Sequence, residues 1–192
     1  MKNEKTTDRR IKFSKMMLRQ SLLELMKEKP INKITITEIC KHADINRNTF
    51  YSYFTTPDDL LCQIENDLYD EIRDSVESSL QISTISSSLL EIFTAISKNE
   101  DLCKIIFSEF GDKVFLRKIM DIAYDRCITE WSSIAPDLPK RQLEMAYTFI
   151  ANGCAGLIES WIQSGFKESP LEIAQFINKI SSNGLQTLLT IR

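Results

Sequence analysis

The chain has 192 residues, 43% of them hydrophobic and 27% charged, with 5 Gly, 5 Pro and a formal net charge of −3. This length is sufficient for a hydrophobic core that needs no disulfide or metal, and so few turn residues argue against β-sandwiches and β-barrels. We therefore predict an all-α protein.

The charges are divided unevenly along the chain. Residues 1–53 contain 12 Lys and Arg against 6 Asp and Glu, whereas residues 54–192 contain 12 against 21. A basic head followed by an acidic body is typical of a nucleic-acid-binding module attached to a second domain.

Few residues point to catalysis or metal binding. The five cysteines are scattered without a CxxC pair, so we expect reduced thiols in a cytoplasmic protein that spans no membrane. The single histidine, His42, has no motif partners for a triad or a metal site. Asp121 and Asp125 are one turn apart, as on a solvated helix face. We expect no catalytic residues, no metal and no cofactor.

In chain order, helical periodicity begins near Asp8. The spacing of Ile11, Leu18 and Leu22 predicts one long amphipathic helix that ends before Pro30.

Two short helices are predicted next. Thr35, with Glu38 three residues later, predicts a capping box and a helix to about Ala43, and Asn46 is the expected N-cap of the following helix.

The segment from Asn46 to Phe54 reads NRNTFYSYF. Two short helices joined by a tight turn predict a helix-turn-helix, with Phe50 and Phe54 directed inward. Arg can pair with guanine and Asn with adenine, Thr can contact the thymine methyl, and Tyr and Ser hydroxyls suit phosphate oxygens. The side chains left on the outer face are Arg47, Asn48, Thr49, Ser52 and Tyr53.

A fourth helix is expected to begin with Thr56 as N-cap and Pro57 at its first position. Apolar residues recur at every fourth position from Leu60 to Leu80, and the serine-rich segment from Ser78 to Ser88 is the predicted joint.

The body should then form several more helices. Short ones are predicted at about Leu89 to Ser97 and Leu102 to Phe110. One longer helix is expected to carry on one face Leu116, Met120, Ala123, Cys127, Trp131 and Ile134. Two more are predicted at Arg141 to Ser164 and from Pro170 to about Leu189.

The helix Arg141 to Ser164 is apolar on more than one face, which predicts a subunit interface. The expected interface residues are Phe149, Gly153, Gly156, Ile177 and Ile180. Aromatic residues of the body are expected either in a plain core or around a ligand cavity; these are Phe107, Phe110, Tyr124, Trp131, Phe149 and Trp161.

The segment from Thr35 to Phe54, followed by Asp58-Asp59-Leu60-Leu61, resembles the DNA-binding segment of TetR-family transcriptional regulators, with the spacing T-x-x-x-I…A…I…T-[LF]-Y-x-x-F…[DE]-[DE]-L. The resemblance implies a three-helix helix-turn-helix head joined to a C-terminal helical bundle used for dimerisation. It implies phosphate contacts by Thr35, Thr37 and Tyr51, and base contacts by Arg47, Asn48, Thr49 and Tyr53.

Two positions depart from the family pattern. The family usually has Gly in the turn where this chain has Asp44, a residue type that tolerates the left-handed backbone. It usually has Lys where this chain has Pro57, so one phosphate contact is expected to be lost.

We therefore predict a helix-turn-helix DNA-binding domain at residues 8–55 and a helical ligand-sensing and dimerisation domain at residues 56–192. The predicted function is that of a homodimeric repressor, bound to a palindromic operator in double-stranded DNA and released by a small-molecule effector. Two alternatives remain open: a TetR-like co-activator whose helical body docks a partner protein, and a small helical enzyme.

Overall fold

The structure, a computed structural model, describes residues 2–78, 85–108 and 113–190. Within these ranges the chain forms ten α-helices and a single 3-10 turn at Ile31–Lys33, with no strand. The all-α prediction is confirmed. The helices are α1 (Lys2–Met26), α2 (Ile36–Ala43), α3 (Arg47–Tyr51), α4 (Pro57–Ser78), α5 (Ile85–Lys98), α6 (Glu100–Ile106), α7 (Lys113–Asp121), α8 (Tyr124–Ile134), α9 (Lys140–Gln163) and α10 (Pro170–Thr190).

The described chain divides into two compact units, and the division falls within α4, between Leu68 and Tyr69. In the first unit α1 packs against α2, and α2 packs against α3. Its core contains fully buried side chains from α1, α2, α3 and α4: Leu18, Leu22, Ile39, Phe50, Leu60 and Ile64. Leu18 and Leu22 are two of the three apolar positions from which α1 was predicted.

The second unit is organised around α9, which contacts α6, α7, α8 and α10. The most extensive helix pair in this unit is α5 with α10. Trp161 of α9 is buried against Phe93 of α5, with ring centroids 5.5 Å apart. Its indole N–H donates to the Glu168 carbonyl at 2.8 Å, which fixes the loop between α9 and α10.

The single long helix predicted through Leu116 and Trp131 is wrong, because the chain forms α7 and α8 there instead. At the break the N–H groups of Ile122 and Ala123 bond to the carbonyls three residues earlier, at 3.2 and 3.1 Å. Such bonds tighten the last turn of a helix and end it. Ile134, expected on the inner face, is 62% exposed.

Some sequence predictions lie wholly or partly outside the described residues. These are the joint expected from Ser78 to Ser88, of which residues 79–84 are not described, and the placement of Leu80 and Phe110. Among the helices that are described, none combines the length and the apolar character needed to cross a membrane.

Candidate nucleic-acid interface and internal cavity

The start of α2 is fixed by the predicted capping box. The Glu38 backbone N–H donates to Thr35 Oγ1 at 3.3 Å, and the Thr35 backbone N–H donates to Glu38 Oε2 at 2.9 Å. Lys29 Nζ also donates to Glu38 Oε1, at 2.6 Å. These bonds, the one from Lys29 above all, lower the pKa of the Glu38 carboxyl from 4.5 to about 2.

The turn between α2 and α3 is left-handed at Asp44, with φ 54° and ψ 43°. The next residue, Ile45, donates its N–H to the Cys40 carbonyl at 2.9 Å, which closes the C-terminal turn of α2. Asp therefore takes the conformation for which the family uses Gly, as the sequence predicted.

The helix α3 has only five residues, so its geometry depends on its caps. Asn46 Oδ1 accepts a hydrogen bond from the Asn48 backbone N–H at 2.8 Å, as predicted for an N-cap. On the inner side the ring of Phe50 is fully buried, and its centroid lies 5.7 Å from that of Phe54.

The outer side of α3 presents polar and aromatic groups to solvent. Arg47 and Asn48 are exposed, and Tyr51 is 52% exposed. Thr49 and Tyr53 are half-buried at the edges of this surface. A guanidinium, a carboxamide and a phenol on one short, capped helix offer donors for base edges and phosphates.

Two hydroxyls predicted to contact DNA are already used within the chain. Thr35 Oγ1 donates to Glu38 Oε2 at 2.9 Å, and Ser52 Oγ donates to the Asn48 carbonyl at 2.9 Å. Their hydrogens would have to leave these acceptors to reach a phosphate. Thr37, in the first turn of α2, is exposed.

The start of α4 also follows its prediction. Thr56 Oγ1 accepts from the Asp59 N–H at 3.0 Å, and Pro57 occupies the first helical position. Proline carries no N–H and no charge, so this position offers no donor to a phosphate.

Six aromatic residues were predicted around a ligand cavity, and the five that the structure describes do not converge on one. Phe107 is buried and stacks on Phe115 with centroids 5.9 Å apart, and Trp161 belongs to the core described above. Phe149 is 80% exposed, because its position on α9 faces solvent. Of the described members, Trp131 lines an apolar cavity and Tyr124 lines a neighbouring recess.

The apolar cavity at Trp131 lies inside the second unit and has a volume of about 220 Å³. Helices α5, α7, α8, α9 and α10 contribute to its wall, which includes the side chains of Ile92, Met120, Cys127, Glu130, Trp131, Tyr147, Cys154 and Ile177. Among the residues that line it there is one carboxylate and no Lys, Arg or His. The sequence interpretation missed two of these cavity residues, Tyr147 and Cys154, which lie on the inner face of α9.

The two cavity thiols are buried in apolar surroundings. Burial raises the pKa of Cys127 to about 12 and that of Cys154 to about 11. Both are therefore un-ionised at neutral pH, and a thiol in that form is a poor nucleophile and a poor metal ligand.

The five residues predicted at a subunit interface divide into two groups. Phe149, Gly153, Gly156 and Ile180 are exposed, whereas Ile177 is 3% exposed because it packs inside the unit. The assignment of Ile177 to the interface therefore needs correction, since it has almost no surface left for a partner. Two exposed residues that the sequence interpretation missed, Met145 and Phe176, lie four positions before Phe149 and Ile180 on the same helix faces.

Solved structures with the same fold are numerous. A TetR transcriptional regulator from Streptococcus agalactiae has a TM-score of 0.69 and 18% identity, over 93% of this chain and 98% of that chain. The dihydroxyacetone kinase operon activator DhaS has a TM-score of 0.63 and 17% identity, over 91% and 97%. The regulator FadR from Bacillus subtilis, solved in complex with stearoyl-CoA, has a TM-score of 0.62 and 13% identity, over 86% and 96%. At sequence identities of 13–18%, these structural similarities establish the fold alone. Among curated proteins no sequence matches this chain.

Two family profiles match the sequence itself. Residues 20–64, which include the helix-turn-helix and the start of α4, match the bacterial regulatory proteins of the tetR family. Residues 83–183, more than half of the chain, match the C-terminal region of transcriptional regulators in the same group. Together with the capped helix α3, these matches lead to one conclusion: the chain belongs to the TetR family of transcriptional regulators.

Proposed function

We propose that this protein is a dimeric repressor that binds a palindromic operator through α2 and α3 and leaves it when a small molecule binds in the second unit. The observation that carries this proposal is the surface of α3, where Arg47, Asn48 and Tyr51 are exposed on a helix held by the Asn46 cap. Such a helix fits the major groove with its polar side chains against the base edges.

The division of roles follows the chain. DNA binding is assigned to residues 8–55, and effector sensing and dimerisation to residues 56–192. Within the first part, Arg47 and Asn48 are assigned to bases, with Thr49 and Tyr53 at the edges, while Thr37 and Tyr51 contact phosphates. Such a regulator works in the cytoplasm, where its five free cysteines stay reduced.

The dimer is supported by two pairs of exposed apolar side chains on the second unit, one on α9 and one on α10. Met145 and Phe149 are 58% and 80% exposed on α9, and Phe176 and Ile180 are 53% and 54% exposed on α10. Large exposed apolar side chains at i, i+4 on a helix are a liability for a monomer but suit a two-fold interface. Two heads joined in this way can read two half-sites about 34–36 Å apart.

The effector site is assigned to the cavity at Trp131 and Tyr147. FadR from Bacillus subtilis, a structural neighbour, binds stearoyl-CoA, a ligand with many phosphate charges. Among the residues that the structure describes, the wall of this cavity has a single carboxylate, Glu130, and no cationic side chain. The cavity therefore favours a compact, largely apolar ligand that is neutral or carries a positive charge over an anionic ligand. Binding there releases DNA if it favours a conformation in which the heads no longer match the half-sites.

Selection of bound duplexes from a random-sequence library tests the proposal directly. We expect an enriched sequence with two-fold symmetry, bound by two chains per duplex in analytical ultracentrifugation. Failure to enrich any sequence would contradict the DNA-binding role and favour a protein-docking co-activator instead. Screening of small apolar amines and neutral compounds against the complex should then identify molecules that release the duplex.

A further inference from the structure

We propose that the recess between α7 and α9 is a binding site for a small zwitterion, an α-amino acid with an apolar side chain, in which Arg117 binds the carboxylate and Asp121 binds the ammonium group. The site is distinct from the effector cavity, since neither residue lines that cavity. It goes beyond the DNA-binding function proposed above.

Two helix faces form the walls of the recess, which has a volume of about 300 Å³. Arg117 and Asp121 are one turn apart on α7, and Thr148, Asn152 and Ala155 repeat at helical spacing on α9. All the residues that line the recess belong to the second unit. Since α7 packs against α9, the two rows of side chains are held beside each other.

The buried part of the recess is apolar. Met120 is 4% and Tyr147 8% exposed, and Ala151 and Tyr124 also line it. The phenol of Tyr147 donates to the Met120 carbonyl at 2.7 Å, so its hydroxyl is satisfied within the chain. A ligand in the recess therefore contacts apolar groups on its buried side and charged groups at its exposed rim.

Arg117 is positioned by α9. Its Nη2 donates to Asn152 Oδ1 at 3.1 Å, and Asn152 Nδ2 in turn donates to the Thr148 carbonyl at 2.6 Å. The carboxamide is thus held at both ends, and it holds the guanidinium beside the recess. A guanidinium carries five N–H donors, so the bond to Asn152 leaves donors for a carboxylate, which accepts two of them in parallel.

Asp121 supplies the opposite charge at the same rim. The two charged side chains start about 6 Å apart along α7. The hydrogen-bond partner of Arg117 is Asn152 and not Asp121, in keeping with the weaker pairing of a helical cation with an anion that follows it. Burial above all raises the pKa of Tyr147, and the charge of Asp121 is among the further causes, which places this carboxylate near the buried side of the recess.

The pair of charges defines the ligand class. An anion would be attracted by Arg117 but repelled by Asp121, and a cation would meet the reverse. A ligand with both charges on neighbouring groups satisfies both residues, and its apolar side chain can lie against Met120. These requirements describe a free α-amino acid, because a peptide terminus carries only one of the two charges.

Exposed charges on a helix are ordinarily only solvated, and Asp125 shows how Asp121 differs from that case. The sequence places the two carboxylates one turn apart, as if on one helix face. In the structure Asp121 ends α7, whereas Asp125 lies in the first turn of α8 and outside the recess. Asp121 lies on a concave surface together with an oriented guanidinium, and Asp125 does not.

Methyl NMR titration of the full chain, labelled at its methionine methyl groups, tests the proposal. Met120 lines the recess and reports on it, and Met120→Leu assigns its signal. The probes are L-leucine, L-methionine and L-phenylalanine. The tightest of them is then compared with its carboxamide, which lacks the carboxylate, and with its deaminated acid, which lacks the ammonium group. We expect saturable binding of the amino acid with a dissociation constant of about 1 mM or lower, and binding about tenfold weaker for both analogues.

Two variants identify the charged partners. Arg117→Gln should weaken binding of the amino acid and of the deaminated acid by about tenfold, and it should not weaken binding of the carboxamide. Asp121→Asn should weaken the amino acid and the carboxamide by a similar factor, and it should not weaken the deaminated acid. Asp125→Asn and Arg141→Gln remove exposed charges outside the recess and should bind every probe as wild type does.

Absence of binding by all three amino acids would overturn the proposal. Wild-type affinity in Arg117→Gln and Asp121→Asn would overturn it as well, with circular dichroism and thermal unfolding showing that both fold. Equal losses on every probe would have the same consequence, because the loss would then come from the packing of α7 on α9 and not from recognition of charge. None of these measurements involves DNA, so their failure would leave the proposed operator binding untouched.

Discussion

The phenol of Tyr147 on α9 donates a 2.7 Å hydrogen bond to the backbone carbonyl of Met120, in the last turn of α7. The same carbonyl accepts the N–H of Ala123 at 3.1 Å. A carbonyl satisfied in this way needs no N–H from the residue four positions later, so α7 can end and α8 can begin in a new direction. Tyr147 therefore shapes both the α7–α8 junction and the cavity that it lines.

Replacement of Tyr147 by Phe should destabilise the second unit by about 0.5–1.5 kcal/mol, the usual net value of one hydrogen bond. The ring is retained, so cavity volume and packing should change little. Urea denaturation monitored by circular dichroism measures the loss. Tyr124→Phe is the matched control, since its ring packs edge-on to Tyr147 at 4.9 Å. A larger loss in the control than in Tyr147→Phe would contradict the role given to this bond.

This junction shows where sequence interpretation reaches its limit. The apolar spacing through α7 and α8 is continuous and contains neither Gly nor Pro, so it predicts one helix. The break is stabilised by a side chain 27 residues further along the chain, which local periodicity cannot reveal. By contrast, the caps at Thr35, Asn46 and Thr56 depend on residues within three positions, and all three were predictable from the sequence.

The inward position of Phe50 on α3 was predictable for the same reason, since helical spacing places it on the side opposite Asn48, and the charge of Arg47 favours solvent. The cavity was not. Its wall comes from five helices, and aromatic residue type did not distinguish exposed Phe149 from buried Trp161. The two-sided apolarity of α9 indicated an interface, but only the structure shows that Phe149 of α9 is exposed whereas Ile177 of α10 is buried.

The N-cap of α3 should control DNA binding without touching the bases. Asn46→Ala removes the acceptor for the Asn48 N–H and should cost about 0.5–2 kcal/mol of stability. Because α3 has only five residues, its outer side chains lose their alignment together, so binding to the selected duplex should weaken more than binding to a scrambled duplex. Asn46→Ser restores a capping oxygen and should recover both properties. A failure of Ser to exceed Ala would show that capping is not the role of Asn46.

The capping box of α2 should make the stability of the head depend on pH in the acidic range. The folded-state pKa of Glu38 is about 2, below its ordinary value of 4.5. Its stabilising effect is therefore fully present above pH 4.5 and is lost as the pH falls towards 2. Glu38→Gln should destabilise the protein above pH 4.5, and the difference from wild type should shrink as the pH is lowered. Urea denaturation across this range measures it, and a difference independent of pH would contradict the assigned ionisation.

Gly156 tests the proposed dimer because its substitution should affect only association. A Cβ at Gly156 meets no atom within 4 Å in the single chain. Leu there should even stabilise α9 itself, since Gly is about 0.8–1.0 kcal/mol less favourable than Ala in a helix interior and Leu is close to Ala. At a close helix–helix interface the same side chain should cost about 1–3 kcal/mol by overpacking.

We therefore expect Gly156→Leu to shift the protein towards monomer in sedimentation and to reduce operator affinity, with its helical circular dichroism unchanged. Ser132→Leu, an exposed position on α8, controls for the added apolar surface. A Gly156→Leu protein that remains as tight a dimer as wild type would remove this glycine from the interface.

The most direct test of the account is the effect of Arg47→Ala on discrimination between a selected operator duplex and a scrambled duplex, with Tyr51→Phe as the comparison. A bidentate contact between Arg and a base contributes about 1–3 kcal/mol of discrimination, whereas a phosphate contact strengthens binding to every sequence. We predict that Arg47→Ala loses about 1–3 kcal/mol of discrimination, with the loss confined to one base pair in each half-site, and that Tyr51→Phe weakens both duplexes equally. Unchanged discrimination by Arg47→Ala would contradict the claim that α3 is the reading helix.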